Sequence, residues 1–385
     1  MIWGYIVLAY LSLFALGIGD NIRGPLFPEI LKSFNVNDTQ GAAYYVMSSF
    51  CGFVGSLWVR LLLRRWSRVH TLQFSIFLMA VGLIGMGTVS DFKWMLVFSG
   101  IFGASLGIVG VVQNVLVSVG SSPEKRQQML AGLHANYGIA SVLAPLVVAG
   151  VSAWLGSWRY VFGVVAIVPA ALLVGAFFWK DRRSPTASTG TMASSLTPPP
   201  LQTRRDHIGQ IFLATTLGFY VLAEIMVSSR LALFVRRELS LDLQQSSYYL
   251  TGFFSFLLVG RLLFTFIHFK WPVRQMLGLF LLTSMLSCAI GLQGYPFFLA
   301  LSGLFMAPFY PLAMLYISSH YEKTMDSAVS YTMAVQSFCT VIMHGLVGYL
   351  TDTYGISMAL WVGPLALGIS FAMLMSFERL FGRMA

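Results

Sequence analysis

The sequence predicts an all-α integral membrane protein of twelve transmembrane helices, arranged as two pseudo-symmetric six-helix bundles. Three observations lead there: twelve apolar stretches long enough to cross a bilayer, one polar break near mid-chain, and a lopsided distribution of positive charge. The apolar stretches run 2–27, 40–63, 71–89, 94–118, 128–154, 159–179, 208–232, 248–269, 273–292, 297–318, 327–350 and 356–377. Each meets the roughly 20-residue requirement of a ~30 Å hydrocarbon core. Backbone polar groups cannot go unpaired in lipid, and the alternation of barrel strands is absent, so these spans must be helices.

Composition agrees. Of the 385 residues, 57% are hydrophobic and 10% charged, and the 36 glycines suit helices that bring their backbones close together in lipid. The first span lacks a basic leader and is followed by Asp20-Asn21-Ile22-Arg23 in place of a small-residue cleavage site, so it reads as a retained helix. The net charge of +10 suggests nucleic acid until its distribution is considered. Arg64, Arg65 and Arg68 follow the second span, while Lys180, Arg182, Arg183, Arg204 and Arg205 lie in the central break. This is the positive-inside bias, which places both termini in the cytoplasm and calls for no nucleic-acid partner. Cys51, Cys288 and Cys339 lie within spans without metal-ligand spacing and read as packing residues. A phosphate loop and an HExxH helix are absent, so neither an ATP motor nor an enzyme is expected.

The break, residues 180–207, is rich in Ser, Thr and Pro with charges at both ends, as a solvated linker should be. It divides the chain into bundles 1–179 and 208–385, and the two echo one another. The fifth-to-sixth turn reads AGVSAWLGSWRYVF and the eleventh-to-twelfth reads VGYLTDTYGISMAL, aligning Gly150 with Gly348 and Gly156 with Gly355. The first span carries Asp20 with Arg23 beyond it, and the seventh carries Glu224 with Arg230 beyond it. A weak internal repeat of this kind marks duplicated transporter halves.

Six-plus-six spans, a basic central loop and cytoplasmic termini resemble the major facilitator superfamily of secondary transporters. The superfamily's loop between the second and third spans carries a glycine, an Asp-Arg pair and Gly-Arg; here GSLWVRLLLRRWSR keeps Gly55, Arg65 and Arg68 but has Arg64 where the acid is expected. Asn114, Leu133-His134, Gly138, Pro145, Tyr220, Glu224, Gly260-Arg261 and Pro311 resemble the fucose-permease-like sugar:proton symporters. That group is expected to place acids on both its first and fourth spans, whereas the fourth span here offers Gln113 and Asn114.

Charges inside hydrocarbon are costly and usually face a cavity or a partner. Asp20, Arg23, His134, Glu224 and Arg230 are therefore the candidates for proton coupling or gating. A carboxylate shielded from water holds a proton more readily, as coupling requires. Asp20 lies ~27 Å up its span, close enough to the outer interface to be a solvated cap instead. Arg23 follows at i,i+3 and can meet it on one face, bind an anionic solute, or snorkel to headgroups. Either acid can also belong to an external gate closed by Arg23 or Arg230. Histidine titrates near neutrality, which suits a relay, though a His one turn into a helix is commonly packed. Asn21, Gln113, Asn114, Asn136, Tyr220, Tyr310, Gln336 and His344 are the candidates for solute binding, with hydrogen-bonded helix packing as the alternative for the amides.

The expected function is secondary active transport by alternating access, with proton-coupled uptake of a sugar-like or other polar metabolite ahead of proton-driven export of amphipathic compounds. An intramembrane enzyme or a sensor that binds without moving its ligand stands further back. No cofactor is expected beyond an ion gradient, protons first and sodium second. The expected partners are a small-molecule solute and the bilayer, and a monomer in a bacterial inner membrane is the expected working form.

Overall fold

The computed structural model describes residues 1–177, 203–266, 271–321 and 324–382. Most of the expected linker, and its Lys180, Arg182 and Arg183, lies outside them. The described part begins at Thr203, whose hydroxyl forms a capping box with Asp206, so 204–207 are the first turn of a helix and not linker.

The first half comprises α1 (Trp3–Asn21), α2 (Arg23–Phe34), α3 (Asp38–Arg65), α4 (Arg68–Thr88), α5 (Phe92–Gly120), α6 (Arg126–Leu155) and α7 (Arg159–Phe177). The second comprises α8 (Arg204–Glu238), α9 (Leu243–Phe266), α10 (Val273–Leu292), α11 (Phe297–Met306), α12 (Phe309–His320), α13 (Met325–Tyr354), α14 (Ile356–Ala359) and α15 (Val362–Phe381). Among the described residues twelve crossings result, because α1–α2, α11–α12 and α14–α15 are each one rod in two pieces. With an even number of crossings, both chain ends lie at one face, here the termini face; the opposite one is the distal face.

The first crossing is longer than its apolar stretch. It runs from Trp3 to Phe34, about 48 Å at 1.5 Å per residue, which puts Asp20 near its middle and not at its outer end. The unbroken 35-residue α8 carries Glu224 to a similar depth. In the tenth crossing the rod breaks between Met306 and Phe309, where Pro308 cannot donate to the ladder. The repeat read from sequence is visible in the backbone. Gly156 (φ 70°) and Gly355 (φ 82°) both take positive φ at the turn ending their half's fifth crossing.

In lipid, helix pairs gain little from hydrophobic burial and rely on close backbone contact. The tight α3–α5 packing shows this: a Cβ added at Gly103 would strike the backbone of Ser48, and one at Gly107 the carbonyl of Gly52. Large apolar side chains left on the outside, such as Trp58, Trp154 and Leu365, form the surface presented to acyl chains.

The halves meet along α3 against α13 and α6 against α9, and α2 also packs on α8. At the distal face the first of these seams is locked. Asp352, at the end of α13, accepts hydrogen bonds from the Asp38 and Thr39 backbone N–H groups at 2.9 and 2.8 Å. An acid from one half thus caps the first turn of a helix in the other, where the dipole favours negative charge. Arg237 pairs with Asp38 at 2.8 Å, and Arg236 with Glu29 at 2.6 Å. Gly348 lets α13 approach so closely that a Cβ there would lie 2.8 Å from the Asp38 carbonyl oxygen.

Candidate functional site

Below the distal lock a cavity of about 650 Å³ separates the halves. Its first wall is built where the opening crossing breaks, from Asp20, Asn21 and Arg23, with Ser48, Ser49 and Ser56 on α3 and Tyr137 and Ser141 on α6. The facing wall carries Glu224, Ser228 and Ser229 on α8, Arg261 on α9, and Gln336, Ser337, Thr340 and His344 on α13. Ser56, Arg261 and Met333 line it in the parts of their helices nearer the termini face, so it extends toward that face and away from the lock.

Each wall holds one carboxylate–guanidinium pair, and the two are built differently. Arg23 is buried and engages the Asp20 carboxylate directly. Its Nε also donates to the Asp20 carbonyl at 3.2 Å and its Nη1 to the Ser48 hydroxyl at 2.8 Å. The Tyr137 hydroxyl donates to the other Asp20 oxygen at 3.1 Å. Asn21 Nδ2 reaches the Gly17 carbonyl at 2.8 Å, Ser141 at 3.1 Å and Tyr137 at 3.3 Å. The junction between α1 and α2 is therefore tied to α3 and α6 by one connected polar network. Glu224 meets Arg261 at 3.7 Å, beyond good hydrogen-bond geometry, with Tyr220 and Tyr310 close by. The Asp20 carboxylate is held by Arg23 and Tyr137, and Glu224 by a longer ion pair with Tyr220 in hydrogen-bonding reach.

Residues 9–268 match the family model of the Major Facilitator Superfamily, more than half of the chain. The chain belongs to the major facilitator superfamily. Its members are transporters, not enzymes, and this one is an integral membrane transporter of that fold. The glucose/mannose transporter GlcP of Bacillus subtilis is 23% identical over 367 residues, covering 91% of this chain and 88% of the relative. The cis,cis-muconate transport protein of Acinetobacter baylyi is 24% identical over 295 residues, covering 74% of this chain and 67% of the relative. Among solved structures, a D-xylose–proton symporter superposes with a TM-score of 0.78 at 15% identity, covering 98% of each chain. The fucose:proton symporter of E. coli superposes with 0.63 at 16% identity, covering 97% of this chain and 98% of that one.

For this superfamily member the candidate residues divide cleanly. Asp20, Asn21, Arg23, Glu224, Gln336 and His344 line the cavity. Tyr220 does not: it is fully buried, stacks on Phe309 at 4.2 Å, and donates its hydroxyl to the Met306 carbonyl at 2.7 Å. It thereby satisfies a carbonyl that the α11–α12 break leaves without a helical partner. Gln113 is buried inside the first half, and Asn114 donates back to the Gly110 carbonyl of its own helix at 2.7 Å. Asn136 ties α6 to α1 through the Tyr10 carbonyl at 2.7 Å. None of the three amides lines the cavity, and the Asn136 hydrogen bond is the one that joins two helices. Tyr310 sits behind Gln336, outside the lining, and His134 is exposed on α6, one turn nearer the termini face than Tyr137. Arg230 lies in the seam beside Phe27 and Tyr45, so the Glu224–Arg230 gate considered from sequence is replaced by Glu224–Arg261.

Sequence reasoning met Arg261 only as part of the family resemblance and gave it no site role, and it made no candidates of Tyr45, Tyr137 and the serines of the walls. The serines left a signal: Ser48, Gly52 and Ser56 recur at helical i,i+4 spacing, and Ser228-Ser229 follows Glu224 by one turn.

Proposed function

We propose that the chain is a proton-coupled symporter that takes up a small polar, sugar-like metabolite by alternating access. The observation that carries this is the cavity wall, where hydroxyls and amides from both halves interleave with two carboxylate–guanidinium pairs. Such a wall exchanges hydrogen bonds with a hydroxylated solute, whereas it would leave polar groups unmatched against an amphipathic drug. Relatives that carry glucose, mannose and muconate agree with a polar cargo.

Glu224 is the coupling residue. Protonation removes its attraction for Arg261 and lets that wall rearrange around solute; loss of the proton on the other side restores the pair. Asp20, held by Arg23 and Tyr137, orders the junction of α1 and α2. The basic ends at the termini face support a cytoplasmic placement of that face, and the bacterial relatives support an inner membrane; the cavity then faces inward and the distal lock outward. The proton gradient is the only co-substrate required, and one chain contains both halves of the machine.

Counterflow in proteoliposomes loaded with a panel of sugars, sugar acids, nucleosides and dyes tests this. The expected result is exchange of a hydroxylated solute, and its accumulation when the outside is made acidic. Movement of dyes without any hydroxylated solute would overturn it.

A further inference from the structure

Four of the five glycines of α5 are accounted for by packing. A Cβ at Gly100 would meet side chains of α3 at 3.2 Å, one at Gly103 or Gly107 would strike the α3 backbone, and one at Gly120 would meet Tyr5 and Ile6 of α1 at 3.2 Å. Gly110 differs, because a Cβ there would meet nothing within 4 Å. A glycine inside a helix costs stability relative to alanine, and in lipid a close helix contact normally offsets that cost. Gly110 makes no such contact. It lies instead in the cavity wall, and it is the one glycine of the lining with that much space around it.

The chemistry of α5 also sets it apart from the rest of the wall. Its lining residues are Leu106, Gly107, Gly110 and Val111, none with a hydrogen-bonding side chain. Among the described residues α1, α3, α6, α8, α9 and α13 each bring at least one such side chain to the lining. At Gly110 even the backbone acceptor is engaged, since Asn114 Nδ2 donates to its carbonyl at 2.7 Å. A solute hydroxyl placed here would give up its partner in water and gain none. This stretch of wall suits C–H surface.

We infer that Gly110 is a specificity-determining residue, whose missing side chain leaves the room that the body of the solute fills. The solute turns its C–H face to α5 and its hydroxyls to the serine-bearing helices. This rests on the transport function proposed above and adds to it a limit on the bulk of the cargo. A group added at Gly110 takes its space from the solute and not from a neighbouring helix, so a larger solute is rejected before a smaller one.

The test is counterflow in proteoliposomes with two pairs of probes, each differing by one hydroxylated carbon: xylose and glucose, and xylonate and gluconate. The unmodified protein should exchange both members of at least one pair. Gly110→Ala should keep or raise Tm in detergent, because its Cβ meets no neighbour. Gly110→Val should lower the ratio of six-carbon to five-carbon counterflow about tenfold, with Gly110→Ala between it and the unmodified protein. Should Gly110→Val fold poorly, the Ala variant decides alone, by whether its ratio falls. A ratio that stays unchanged would overturn the inference. Equal loss of both members of a pair would overturn it too, and would point to a helix that packs on Gly110 in another state of the cycle. In either case exchange by the unmodified protein leaves the transport function standing. Exchange of none of the four probes by the unmodified protein would remove the sugar-like cargo and the inference together.

Discussion

Two acids at similar depth in the two halves are held in unlike ways, and the roles proposed for them rest on that difference. Glu224→Gln fixes the protonated form of that acid, so proton-driven accumulation should vanish while solute-for-solute counterflow survives. Asp20→Asn should instead impair both and lower Tm, because it strands the buried Arg23 cation. Breaking a fully buried pair costs about 3–5 kcal/mol, and less applies here because the Asp20 side chain keeps 26% of its exposure. Accumulation by Glu224→Gln at the unmodified level would remove that residue from coupling. The acids themselves were legible in the sequence, since a carboxylate in an apolar run needs a reason. Their partners divide. Arg23 follows from i,i+3 spacing, whereas Arg261 sits on another helix and is brought to Glu224 only by packing of α8 on α9. The amides misled for the same reason: Gln113, Asn114 and Asn136 have the chemistry of solute ligands, and only helix rotation decides that they lie outside the cavity lining.

At the level of helices, apolar length located all twelve crossings but misplaced the end of the first. Asp20-Asn21-Ile22-Arg23 looks like an exit into water, yet the chain continues as α2 to Phe34, because the polar residues at the break are satisfied by α3 and α6. The distal lock was invisible beforehand, since Asp352 and the start of α3 belong to opposite halves. Asp352→Ala removes the two hydrogen bonds by which it caps α3. At about 1 kcal/mol, typical of a helix cap, the closed lock should weaken roughly fivefold. A cysteine placed at Ser228 should then react correspondingly faster with an impermeant thiol reagent added from the distal side; an unchanged rate would show that the cap contributes nothing to closure. Gly348→Leu should go further, driving a side chain into the Asp38 backbone and the Ala42 methyl so that the lock cannot shut. The expected protein is folded, permanently reactive from the distal side, and inactive in counterflow. A Gly348→Leu protein that still exchanges solute would mean that α13 and α3 do not need to meet.

For the molecule as a whole, the duplication foreseen from paired glycines is real in the backbone, but its two halves are joined asymmetrically. Two ion pairs and an interhelical cap bridge them at the distal face. At the termini face Arg64, standing where the family's loop carries an acid, is exposed. A lock of charges on one side and a missing acid on the other should favour the state open toward the termini until solute binds. The most direct measurement is a pair of spin-label distances in proteoliposomes, after replacement of the three native cysteines: Lys32 to Leu239 across the distal face, and Arg64 to Met325 across the termini face. Without solute the distal distance should be short and the termini-face distance long. Adding a transported solute should populate the reverse arrangement, the first lengthening as the second shortens. Two distances that stay fixed, or that change independently of one another, would contradict alternating access about this cavity.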